Sequence, residues 1–184
     1  GAAEIFWLAD SLAGVLDDLT IERVTPQALR AVPPESLAEN WQQTLKFLDI
    51  VIENWPALLQ AQGRVDAAAL GNERLARQAA TVLDRYGQQP VIAAGSTGSQ
   101  PATADLLRAI AGLPRGVVVL PGLDTALTDV DLAALGDAQR APHAHPQYGL
   151  VKLLQGFGRR PDAVTELGGG EPAPRTLMLR RALA

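Results

Sequence analysis

The chain of 184 residues contains no cysteine, which removes disulfides, cysteine-ligated zinc, iron–sulfur clusters and thiol nucleophiles from its chemistry. Histidine occurs twice, at His143 and His145, and methionine once, at Met178. That leaves little material for a transition-metal site, so no metal and no cofactor are expected. No apolar run approaches the roughly 20 residues of a membrane helix, and no basic-then-apolar leader opens the chain. The expectation is a cytoplasmic chain with no membrane partner. Cations are the scarcer charge: 16 Lys and Arg against 20 Asp and Glu, a formal net charge of −4. Such a balance argues against a module that grips nucleic acid by charge alone. The chain starts Gly1-Ala2-Ala3 with no initiator methionine, and so reads as a piece of something longer.

What is present points to a soluble globular chain, with 47% apolar and 20% charged residues. Ile5, Leu8, Leu12, Val15, Leu16 and Leu19 recur at the spacing of an amphipathic helix. Asp17 and Asp18 carry the wrong charge for its C-terminus, so that end is weakly specified. Thr25-Pro26 reads as the cap and first-turn proline of a short helix, broken at Pro33-Pro34. Ser36 and Glu39 form a capping box ahead of a stripe of Leu37, Trp41, Leu45, Leu48, Ile52 and Trp55. Trp41 and Trp55 share a face of that helix, which predicts core packing and not a base-stacking platform. Pro56 predicts a kink, Gly63 an end, Asp66 the cap of the next helix and Gly87 its stop.

The pattern then changes. Val91–Ala94 and Val117–Leu120 are short apolar runs that read as fully buried strands, separated by a helix opening at Pro101. Strand, helix, strand at this spacing predicts a parallel βαβ unit. A short helix capped at Thr128, a loop over 136–146, a helix carrying Tyr148, Val151, Leu154 and Phe157, a third strand at Ala163–Leu167, and a last helix from Leu177 follow. The expected class is α/β: a helical accessory subdomain over 1–88 and an α/β part over 89–184.

The best local candidate for chemistry is the loop Gly95-Ser96-Thr97-Gly98-Ser99, between a strand and a helix N-terminus, where amides and hydroxyls can hold an anion. It lacks the Gly-Lys-Ser/Thr ending of a phosphate-binding P-loop, and the plainer reading is a glycine-rich turn capping the next helix. Ser96, Asp124 and then His143 or His145 follow the chain order of an α/β-hydrolase triad, yet the helix start at Pro101 lies too far past Ser96 for a nucleophile elbow. The two histidines supply two ligands without a third, and Asp129 and Asp131 read as helix N-terminal charge. No complete catalytic set emerges.

A resemblance adds to this. Val91-Ile92-Ala93-Ala94-Gly95-Ser96-Thr97-Gly98-Ser99-Gln100-Pro101, with Leu113-Pro114-Arg115-Gly116-Val117-Val118-Val119-Leu120-Pro121-Gly122-Leu123-Asp124, resembles AddB subunits of the alphaproteobacterial type. His145-Pro146-Gln147-Tyr148-Gly149-Leu150 and the stretch from Glu39-Asn40-Trp41-Gln42 to Trp55-Pro56 are similar to flanking parts of the same family. These subunits belong to the AddAB helicase–nucleases of double-strand-break repair. The resemblance implies a fragment of the helicase-like region, with an AddA-type subunit as partner and DNA bound by the full complex. It also implies a degenerate motor. The strand that would carry magnesium-holding carboxylates ends in Ala93-Ala94-Gly95, and Asp124 is either a relic acid near the γ-phosphate sensor position or a turn cap. The implied role is not enzymatic for this fragment: a scaffold for the partner and for strand scanning. A small serine hydrolase using Ser96, Asp124 and a histidine, or a phosphate-ligand module using residues 95–99, are the alternatives.

Overall fold

The computed structural model describes residues 1–31, 38–137 and 142–167. Its elements run α1 (Ala2–Ile21), α2 (Pro26–Arg30), α3 (Ala38–Ala61), α4 (Ala67–Tyr86), β1 (Val91–Ala94), α5 (Pro101–Ala111), β2 (Gly116–Val119), α6 (Asp129–Gly136) and α7 (Tyr148–Gly156), with a 3₁₀ turn at Pro161–Ala163. The chain is therefore mostly helical with one small parallel sheet, within the α/β class. It divides into two compact units. One holds Gly1–Thr81 with Gln100–Leu106, the other Val82–Ser99 with the described residues from Leu107 onward.

In the first unit, α1 extends past the two aspartates to Ile21 and closes with a left-handed residue. The amides of Arg23 and Val24 donate back to the carbonyls of Thr20 and Leu19, at 3.2 and 2.9 Å, the bonding pattern of a Schellman motif. The position that glycine usually fills is Arg23, at φ 55°, and its guanidinium reaches Asp105 at 2.7 Å. Thr25 caps α2 by accepting from the Ala28 amide. Leu16, Leu45 and Leu48 are buried, as the helical periods predict. The start of α1 departs from its period: Ile5, Phe6, Trp7 and Leu8 are 72, 71, 68 and 66% exposed. Amphipathic spacing tells which face would be covered, but it does not supply the neighbour. α3 continues through Pro56. Ser36 of the expected capping box lies outside the described residues, as does the side chain of Trp41. Trp55 is half-buried, and its indole donates to Asp66 at 3.0 Å.

In the second unit, β1 and β2 pair in parallel with Val91 opposite Gly116 and Ala94 opposite Val119. Leu107, Ile110 and Leu113 bury against this unit's interior. At Gly116 a Cβ would sit 1.8 Å from the Ile110 carbonyl oxygen, so the start of β2 lies on the C-terminal turns of α5 with no room for a side chain. The strands are not fully buried, which corrects the sequence expectation. Ile92 and Val117, opposite one another in the register, are 68 and 50% exposed. Short apolar runs are common in strands covered on both faces, but these strands are only half-covered, chiefly on the face of Val91, Ala93 and Val118. Among the described helices α7 buries the most side chains, Leu150, Val151, Leu153 and Leu154. The third strand expected at 163–167 is absent: Pro161 opens a 3₁₀ turn, and residues 164–167 lie in no strand. Gly168–Gly170 and the last helix expected from Leu177 fall outside the described residues. No helix among the described residues is long and apolar enough to cross a membrane.

Candidate functional site

The loop 95–99 leaves β1 and reaches α5 through two left-handed glycines, Gly95 at φ 80° and Gly98 at φ 60°. Its amides are partly spent. The Gly95 amide continues the sheet by donating to the Val119 carbonyl at 3.2 Å. The Gly98 amide donates to the hydroxyl of Ser96 at 3.3 Å, a local Ser/Thr turn. Gly98 is buried, and a Cβ there would meet both methyls of Leu153 at 2.8 and 2.9 Å and Leu107 at 3.1 Å. Packing against α7 and α5 thus explains this glycine without a ligand. Thr97 and Ser99 are exposed, and Ser96 is half-buried.

Asp124 lies in the turn after β2. Its Oδ1 accepts from the Ala126 amide at 3.0 Å, the geometry of an Asx turn, and its own amide donates to Gln147 Oε1 at 3.0 Å. Gln147 also donates through Nε2 to the Gly122 carbonyl at 2.9 Å. One side chain just before α7 therefore pins the segment after β2 at two backbone points. Sequence reasoning did not single out Gln147. It falls within the His145–Leu150 stretch of the resemblance, but nothing there gives it a role, and its partners are 25 and 23 positions away in the chain. Arg108 was missed for the same reason; its Nε donates to the Gly156 carbonyl at the end of α7, at 2.8 Å, where a cation also suits the helix dipole.

Nδ1 of His145 accepts from the Gln147 amide at 3.1 Å. A triad needs the opposite polarity, with Nδ1–H donating to the acid. Ser96 has no positive φ and sits in a turn ahead of α5, whereas an elbow nucleophile occupies a strained strand-to-helix corner. His143 packs edge-on against Tyr148, ring centroids 4.7 Å apart. Ser96, Asp124 and His145 each have an acceptor atom committed to a backbone amide two residues onward.

The acidic pair at the start of α6 is accounted for locally. Thr128 and Asp131 form a capping box, with Asp131 Oδ2 accepting from the Thr128 amide at 2.8 Å and from its hydroxyl at 2.6 Å. Those hydrogen bonds, with a smaller contribution from the nearby His145, hold the Asp131 carboxyl below its usual value. Asp129 accepts from Arg160 at 2.6 Å. Among the described residues no group of three or more His, Asp or Glu is placed to hold a metal ion. No known protein family, curated protein or solved structure matches the chain.

Proposed function

We propose that the chain is part of an AddB-type subunit, and that it serves there as a helicase-derived, non-catalytic scaffold. In this reading it works in the cytoplasm without a cofactor of its own. It supports an AddA-type partner and contributes to scanning of the unwound strand during double-strand-break repair.

The observation that carries the reading is the end of β1. The parallel β1–α5–β2 unit has the order of the core of a nucleotide-driven motor, in which an acid at a strand end holds magnesium and orients the attacking water. Here that end is Ala93-Ala94-Gly95. Asp124, the acid after the second strand, spends its Oδ1 on a turn. The segments that resemble AddB subunits contain both strands and the loops that follow them, and the loop that joins β1 to α5 spends amides on its own sheet and hydroxyl.

The purified chain should turn over no ATP above background, with or without single-stranded DNA. The reading frame around it should encode a nuclease domain with four cysteines, next to an AddA-like frame. Magnesium-dependent ATP turnover that a substitution in residues 95–99 abolishes would overturn the scaffold reading. So would a flanking frame with neither feature.

A further inference from the structure

The first unit holds a cavity of about 380 Å³. Its wall includes Leu16 and Leu19 of α1, Ile52, Trp55 and Leu59 of α3 and, as the one charged group among the described residues, Asp66. The volume lies in the range of small-molecule sites, which are mostly apolar with a few placed polar groups. A dry cavity of roughly 150 Å³ takes one benzene ring, so this one has room for about two fused rings and a short chain.

Asp66 gives the wall its sign. Its Oδ1 accepts from the Ala69 amide at 2.8 Å and its Oδ2 from the Trp55 indole at 3.0 Å. Partial burial pushes its carboxyl up, but the hydrogen bonds from Ala69, Trp55 and Ala68 outweigh that and hold it below its ordinary value, so it is ionised at neutral pH. Two carboxylate oxygens offer about four acceptor positions, which leaves capacity for another donor. Among the described residues no Lys or Arg pairs with it. The start of α4 nearby contributes about half a positive charge, less than the full negative charge of the carboxylate.

We infer that this cavity is a binding site for a small arylalkyl ammonium compound, its ring system among Leu16, Ile52 and Leu59 and its cationic head on Asp66. The site is independent of the repair reading, since it uses neither the sheet nor the 95–99 loop.

Calorimetric titration of the whole chain tests this with three indoles of similar size: tryptamine as cation, 3-propylindole as neutral isostere and indole-3-propionate as anion. Tryptamine should bind at least about tenfold more tightly than 3-propylindole, the margin of a charge-assisted hydrogen bond, and the propionate most weakly. Asp66→Asn keeps a good helix cap and an acceptor for Trp55. It should erase the preference for tryptamine while leaving 3-propylindole binding unchanged. Leu59→Trp, which fills the cavity, should remove binding of both. No binding by any probe, or equal affinity for cation and neutral isostere, would overturn the assignment. If Leu59→Trp does not fold, the Asp66→Asn comparison decides alone.

Discussion

Gly98 shows how a residue that looks functional is explained by packing. A glycine between Thr97 and Ser99, after a strand and before a helix, has the local appearance of an anion cradle. In the folded chain it has left-handed backbone and lies against Leu153 and Leu107. A Cβ there meets two costs at once: the left-handed conformation, about 1–2 kcal/mol, and overpacking of a filled interior, about 1–3 kcal/mol. Gly98→Ala is therefore expected to lower stability by at least about 2 kcal/mol in urea unfolding. A stability change below a few tenths of a kcal/mol would mean that packing does not demand the glycine and would favour a ligand-binding role for it. The same residue scale explains why Gln147 escaped notice. Its importance lies in two backbone groups brought to it by the fold, and neither is a neighbour in the sequence.

At the scale of elements, helices were more legible than strands. Caps and stops are local chemistry: Thr128 and Asp131 form their box within four residues, and Gly63, Gly87 and Gly158 have positive φ where α3, α4 and α7 finish. Strand burial is not local. Val91–Ala94 and Gly116–Val119 form the expected parallel pair, but one face carries Ile92 and Val117 in the open. Parallel sheets are ordinarily covered on both faces, so composition suggested a burial that this pair does not have. The difference is measurable. Ile92→Thr keeps a β-branched side chain at an exposed position and should change stability by no more than about 0.5 kcal/mol. Leu153→Ala, at a buried position of α7, should cost about 2–5 kcal/mol. Comparable losses at the two sites would mean that the face of Ile92 is covered in solution.

For the whole molecule, charge is the property that bears most directly on DNA. The net charge is −4. Several described arginines are already matched: Arg23 with Asp105, Arg30 with Asp49, Arg77 with Glu73, and Arg160 with Asp129 and Asp162. Each phosphate contact adds to the dependence of affinity on salt, and few aligned cations mean a shallow slope. The isolated chain is expected to bind DNA without sequence preference and no more tightly than about 10⁻⁴–10⁻⁶ M at physiological salt. Fluorescence anisotropy across a salt series measures both quantities. A sequence-specific complex below micromolar would show that these residues contain a complete scanning site, more than the scaffold reading assigns them.

The amino-acid sequence by itself determined most of the described helices, the caps at Thr25, Asp66 and Thr128, the stops at Gly63 and Gly87, the parallel strand pair and the chemistry that a chain without cysteine cannot perform. These follow from spacing, local hydrogen bonding and composition, all of which act within a few residues along the chain. Tertiary structure alone decided which apolar faces are covered, that residues 163–167 make no third strand, and that Gln147 holds the backbone of Gly122 and Asp124. It also decided that Asp66, a helix cap legible in the sequence, faces an apolar cavity with Trp55 beside it. Coverage, cavities and long-range hydrogen bonds depend on which distant segments meet, and no local pattern of residues encodes that meeting.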